Sequence, residues 1–159
     1  MTIKVGDKVP SITFKHLGSD GMEDISTKDL FEGKKIVLFA VPGAFTPTCS
    51  AKHVPGFLEH AAEIKSKGVD KIVCLSVNDA FVMDAWQKDQ NAEHITMLAD
   101  GNAEFTKALG MVLDASGFGM GTRSKRFAMI VNDGIVEYLG VDDKGVDKSS
   151  AETVIAHLA

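Results

Sequence analysis

Cys49 closes the string Val41-Pro42-Gly43-Ala44-Phe45-Thr46-Pro47-Thr48-Cys49, between an apolar run that stops at Pro42-Gly43 and an amphipathic segment that follows. A thiol in the first turn of a helix faces backbone N–H groups with no intrahelical partner and the positive end of the helix dipole. There a thiol pKa can fall from about 8.5 toward or below neutrality, and the thiolate is the nucleophile. Thr46 lies three residues earlier, where a dithiol reductase would carry its first cysteine. A hydroxyl can donate a hydrogen bond to a thiolate or to a bound oxygen atom, but it cannot close a disulfide. The expected chemistry is therefore attack on something other than a dithiol. Most lone cysteines are inert buried thiols; the strand-to-helix position and the Pro and Thr neighbours favour reactivity here.

His53 follows Cys49 by four residues and shares its face if the helix is regular. A Cys–His pair is a nucleophile-and-base arrangement, yet a thiolate already formed by local electrostatics needs no base, and Pro55 disturbs the register. His53 is read as a residue supporting the pocket or as a purely structural one. Arg123, Lys125 and Arg126 form a cationic run of the kind that usually lies on a solvated turn. Arg126 alone opens an apolar strand, RFAMIV. Cys74, inside the apolar string DKIVCLSV, is expected to be inert. Neither cysteine sits in a CxxC or Cys/His metal spacing, and no metal or bound cofactor is expected.

These residues need elements to position them. KKIVLFAV from Lys34, DKIVCLSV and HITML (94–98) read as buried strands. Ser50 to Lys67 places Val54, Phe57, Leu58, Ala61 and Ile64 at helical spacing, and the helix is expected to bend near Pro55. Asp79 to Lys88 reads as a second helix. RFAMIV and IVEYLGV flank Asn132-Asp133-Gly134, a hairpin signal, and a last helix is expected to start at Ser149 with Glu152 completing a capping box. Gly117 to Gly121 is glycine-rich but lacks the phosphate-binding lysine and the dinucleotide spacing, so it reads as a flexible loop. Strand and helix alternation followed by a hairpin and a terminal helix argues for an α/β protein with a thioredoxin-like fold, a central mixed β-sheet flanked by helices. A doubly wound sheet is the competitor, and the late hairpin counts against it.

A length of 159 residues fits one domain, residues 1–159, and is too short for a two-domain dehydrogenase. An apolar fraction of 45% excludes disorder as the main state. Seventeen Lys and Arg against 22 Asp and Glu leave a net charge of −5, which disfavours nucleic acid as a partner. No stretch approaches the about 18 consecutive apolar residues of a membrane span, so no membrane is expected. MTIKVGDKVP lacks the features of a secretory or transit leader. With two free thiols expected, the chain belongs in a reducing compartment, the cytoplasm or, if a presequence was removed, an organelle.

Pro42-x-x-x-Thr46-x-x-Cys49 matches the peroxidatic motif of the peroxiredoxins, and VPGAFTPTCSAKHVPGF closely resembles the type II peroxiredoxins, also called the peroxiredoxin five subfamily. The resemblance continues through CLSVNDAFVMDAW, LADGNAEFTKALG and RFAMIVNDGIV, essentially the whole chain. It implies a thiol peroxidase that reduces hydrogen peroxide and small alkyl hydroperoxides through a cysteine sulfenic acid, serving antioxidant defence and redox homeostasis. Cys49 would be the nucleophile. Thr46 would hydrogen-bond the thiolate and the peroxide oxygen, Pro42 would shield the thiolate from bulk water, and Arg126 would hold the thiolate charge and orient the peroxide. Family members that resolve the sulfenic acid internally use a cysteine near the C-terminus, where this chain has Ser149 and Ser150. That departure implies a one-cysteine mechanism with glutathione, glutaredoxin, thioredoxin or another external thiol as reductant, unless a rearrangement brings Cys74 to Cys49. The family commonly forms homodimers through loops around the active site, which makes Phe45, Pro47, Phe81 and Met120 candidate contacts. The competing reading is a peroxide-sensing or partner-binding module without turnover.

Overall fold

The structure, a computed structural model, describes residues 2–18 and 20–158. Its frame is a seven-stranded mixed sheet. Strand β1 (Thr13–Gly18) and β2 (Gly21–Ser26) form a hairpin, β3 (Lys35–Val41), β4 (Lys71–Ser76) and β5 (Ile95–Ala99) run parallel, and β8 (Arg126–Asn132) and β9 (Ile135–Asp142) form a second hairpin. The order is β2-β1-β5-β4-β3-β8-β9, with β8 antiparallel to β3. Strands β3 and β4 lie at the centre because their residues are apolar on both faces and can be buried on both. A separate two-stranded ribbon pairs β6 (Val112–Asp114) with β7 (Thr122–Ser124).

Helices cover the two faces. One core joins Val37, Phe39 and Val41 of β3 and Cys74 of β4 to Phe57, Ile64, Met83, Trp86 and Val154 from the helical segments α2 (Val54–Glu59), α3 (Ala61–Ser66), α4 (Ala80–Asp89) and α6 (Ala151–Ala156). The other joins Ile36, Leu38 and Ala40 to Leu30 of α1 (Thr27–Phe31) and to Phe105 and Leu109 of α5 (Glu104–Leu109). The alternation along β3 is the period of two that sends successive side chains to opposite faces. In β8 it puts Ala128 and Ile130 on the face shared with Cys49, and Arg126 has their parity.

The thioredoxin-like sheet and its three parallel strands are as expected, each within one residue or so of its predicted bounds. The Asp133-Gly134 turn has φ of 49° and 83°, the left-handed pair of a two-residue hairpin. Asp79 caps α4 by accepting from Val82 N–H at 2.8 Å. Three expectations are corrected. The Ser50–Lys67 helix is broken at His60 (φ −102°, ψ 8°) rather than merely bent at Pro55, and it opens with a π-helical turn over Cys49–His53. The last helix is capped by Ser150, which accepts from Thr153 N–H, not by a box of Ser149 and Glu152. The glycine-rich segment is no featureless loop: Ser116–Phe118 forms a 3₁₀ turn at the tip of the β6–β7 ribbon. The β1–β2 hairpin gave no sequence signal because its strands carry Lys, His, Glu and Asp and are largely exposed or half-buried.

Candidate active site

Pro47 and Thr48 are already helical, so Cys49 lies in the first turn, two residues beyond a proline in a position where its missing N–H costs nothing. The turn then widens: Val54 N–H bonds the carbonyl of Cys49, five residues back. Pro55 has no N–H to offer the preceding turn, and π turns of this kind concentrate at functional sites. Cys49 itself is wholly buried.

Arg126 meets it from β8. Its Nη2 donates to Cys49 Sγ at 3.1 Å and its Nη1 lies 2.6 Å from His53 Nδ1. His53 Nε2 lies 2.9 Å from the carbonyl oxygen of Ser149. A carbonyl only accepts and a guanidinium only donates, so His53 carries its proton on Nε2 and accepts at Nδ1. Burial pulls the His53 pKa down to about 4; the Ser149 bond opposes this, the Arg126 charge adds to it, and Asp142 opposes. The imidazole is thus neutral at physiological pH. It reaches Cys49 through Arg126 and is not a base on the thiol. Arg126 is only 8% exposed, so its fixed fork acts in a poorly hydrated setting where a charge-assisted bond is strong.

Thr46 belongs to the same loop, and its hydroxyl donates to Gly43 O at 2.6 Å. The expected bond from Thr46 to the thiolate is therefore not made. With the proton so committed, Oγ1 is left with lone pairs, able to accept from a bound hydroperoxide O–H. Pro42 ends β3 and, with Thr48, Leu113, Lys125, Arg126 and Asp142, lines a cleft of about 220 Å³ at the rim of the buried thiol. Phe45 adopts a left-handed φ of 63° to make the turn between them.

Four bracing residues carried no recognisable local signal. Asn78 Oδ1 accepts from Ala44 N–H and from Ser76 Oγ, tying the Cys49 loop to β4. Trp86 Nε1 donates to Ser50 Oγ at 3.0 Å. Arg123, passed over for Arg126, donates to Met120 O and Val77 O and so holds the ribbon against the sheet rather than touching the thiol. Asp142, opposite Arg126 in the β8–β9 register, gathers the chain around Ser149.

Cys74 points to the same sheet face as the Cys49 helix and is likewise a free, buried thiol. Burial pushes its pKa well above the ordinary range, the Cys49 charge adds to this, and Arg126 opposes it. Of the candidate contact residues, Phe45 and Phe81 are 51% and 65% exposed and Pro47 is exposed, whereas Met120 is half-buried with its methyl near Gly43. Phe118, not anticipated, is 86% exposed at the ribbon tip.

Comparison with known proteins gives a consistent picture. The redoxin family model matches residues 4–155. The chain is 48% identical over 163 residues to Peroxiredoxin-2E, chloroplastic, of Arabidopsis thaliana, covering 99% of this chain and 70% of that protein. It is also 48% identical to Peroxiredoxin-2B of the same plant, over 98% of each. Among solved structures, reduced Prx3 of Vibrio vulnificus in complex with hydrogen peroxide superimposes with a TM-score of 0.96 at 53% identity, covering 99% of this chain and 100% of that one.

Proposed function

This chain belongs to the redoxin family as one of its peroxiredoxins, a thiol peroxidase of antioxidant function, and we propose that Cys49 is its peroxidatic residue, working by a one-cysteine mechanism. The single observation that carries this reading is the bond from Arg126 Nη2 to a buried Cys49 Sγ at a helix start. In the proposed reaction the Cys49 thiolate attacks one peroxide oxygen, an S–O bond forms, the O–O bond breaks, and the departing oxygen takes a proton to leave as water or alcohol. Arg126, already placed at Sγ, stabilises the charge passing to the oxygens. Thr46 Oγ1 accepts a hydrogen bond from the hydroperoxide O–H, whose proton passes to the departing oxygen, and Pro42 walls off bulk water.

The sulfenic acid condenses with an external thiol to a mixed disulfide and water, and a second thiol restores Cys49 with release of the external disulfide. Glutathione, alone or through glutaredoxin, is the proposed reductant, with thioredoxin as the alternative; no resident cofactor enters the cycle. The support is that the chain has no cysteine after Cys74 and that Cys74 is held as a high-pKa thiol in a packed strand. Hydrogen peroxide is the proposed first substrate, since the Vibrio relative is described in complex with it.

The test is stopped-flow oxidation of the reduced protein by hydrogen peroxide, followed by intact mass. Cys49→Ser should abolish the fast phase and Cys74→Ser should leave it. Arg126→Ala should slow it by about 10-fold or more, for loss of one preorganised donor. The oxidised protein should accumulate a sulfenic acid that glutathione caps. Loss of two hydrogens through a Cys49–Cys74 disulfide would overturn the one-cysteine cycle, and absence of a fast phase would favour a non-catalytic, partner-binding module.

A further inference from the structure

The Asp142 carboxylate accepts four hydrogen bonds from one short stretch of chain. Oδ1 takes Lys148 N–H at 3.0 Å, and Oδ2 takes Asp147 N–H at 3.0 Å, Ser149 N–H at 2.8 Å and Ser149 Oγ–H at 2.6 Å. Burial would raise this carboxyl, but the bonds from the Ser149 hydroxyl and from the three amides outweigh it and hold the pKa below the usual carboxylate range. Tyr138 Oη donates to Lys148 O at 2.6 Å from the same strand. These bonds fold the 143–149 turn back onto β9 and leave the Ser149 carbonyl directed at His53 Nε2.

The geometry points to Asp142 as a positioning residue for the reactive thiol, acting through the Ser149 carbonyl and His53, which together aim Arg126 at Cys49. A neutral histidine can present either nitrogen as donor. The Arg126 donor at Nδ1 and the Ser149 acceptor at Nε2 select the same tautomer, and the fixed acceptor holds the ring where Nη1 meets Nδ1 and the planar guanidinium turns Nη2 onto Sγ. If the Ser149 carbonyl swings away, His53 loses one of the two groups that select its tautomer, a buried Nε2–H is left without its acceptor, and the Nδ1–H form that confronts the Arg126 donor gains population. The charged and aromatic groups around the ring are few. Arg126 comes from β8, Asp142 from β9, Phe39 from β3 and Phe57 from α2. Lys52 and Glu152 line a cleft of about 170 Å³ that the ring also borders.

This inference rests on Cys49 being the reactive thiol, but its readouts require no peroxide. In a Cys74→Ser background, the rate of iodoacetamide alkylation at neutral pH reports the Cys49 thiolate, and the ¹⁵N shifts of His53 report its tautomer. Asp142→Asn keeps the shape but replaces one acceptor oxygen by a donor. It should slow alkylation by about threefold or more and give His53 a mixture of tautomers. A folded Asp142→Asn protein with wild-type alkylation and a pure Nε2–H tautomer would overturn the proposal. If that variant does not fold, Ser149→Ala, which removes one of the four donors, should shift both readouts in the same direction, and no shift in either would overturn it.

The His53 link is tested separately. His53→Gln offers an amide donor and an acceptor oxygen and should recover the greater part of what His53→Leu loses; equal loss in the two would overturn it. If Cys49→Ser consumes peroxide as fast as wild type, the peroxidatic reading fails while the tautomer readout still decides the Asp142 relay.

Discussion

His53 shows how one buried side chain sets conditions for the rest of the site. Its pKa is about 4 in the folded protein against an ordinary value near 6.5. Between these values the unfolded chain binds a proton that the native state refuses. Stability therefore falls as pH drops through this window and levels off below about 4. For a ring only 1% exposed, the full loss is roughly 3 kcal/mol. Thermal unfolding between neutral pH and pH near 4.5 should show a steeper loss for wild type than for His53→Gln, because the other titrating groups are common to both. Parallel curves would remove this role from His53. The same physics explains what residue-level reading could not supply. A histidine four residues after a cysteine suggests a direct pair, but whether the ring touches the thiol or an arginine 73 positions away is decided by the sheet.

At the scale of elements, the site is held at the junction of a helix start, the first residue of β8 and the turn after β9. Gly140, in β9, lies beneath that turn: a Cβ there would fall on the Lys148 carbonyl oxygen and the Tyr138 hydroxyl. Gly140→Ala must push the turn outward. Overpacking of this kind costs about 1–3 kcal/mol, so the melting temperature should drop by several degrees. Peroxide reduction should also slow, because the displaced segment includes Ser149. Unchanged melting and turnover would show that the turn adapts freely. The buried strands, α4, the helical stretch after Cys49 and the last helix were legible from the sequence, while α1, α5 and the β6–β7 ribbon were not. Buried strands announce themselves by apolar runs, and the Asp133-Gly134 turn by residues that tolerate positive φ. The polar β1–β2 hairpin and the break at His60 were not, since neither a half-exposed strand nor a one-residue interruption leaves a clear period in hydrophobicity.

The whole molecule carries a net charge of −5 and, among the described residues, no helix long and apolar enough to cross a membrane. Its conspicuous surface feature is aromatic. Phe45, Phe81 and Phe118 are each more than half exposed, and Phe45 belongs to the Cys49 loop. Isolated exposed apolar residues need no explanation, while aromatic residues are enriched where proteins meet. A homodimer through Phe45 and Phe81, expected from the family resemblance, is the proposal that these exposed rings put to test. Sedimentation equilibrium should find dimers for wild type at micromolar concentration and a marked shift to monomer for the combined Phe45→Glu and Phe81→Glu variant. A wild-type protein that stays monomeric would end that proposal.

The family and the thioredoxin-like sheet could be read from the sequence, and Cys49 singled out as the candidate nucleophile, because each is written in a contiguous pattern: an apolar period, a turn dipeptide, a motif eight residues long. In the sequence Arg126 is only the residue that opens an apolar strand and matches the family's arginine; the face it shares with Ala128 and Ile130 came with the structure. The three-dimensional arrangement was needed to see that Thr46 donates to Gly43, that His53 serves Arg126 and not the thiol, and that Asp142 holds the Ser149 N–H and hydroxyl. Each of these depends on the direction of a hydrogen bond. The Thr46–Gly43 and Asp142–Ser149 bonds close within turns, whereas Arg126 and the Ser149 carbonyl reach His53 from 73 and 96 positions away, so the placement of β8 and of the turn after β9 against the Cys49 helix sets which donor meets which acceptor.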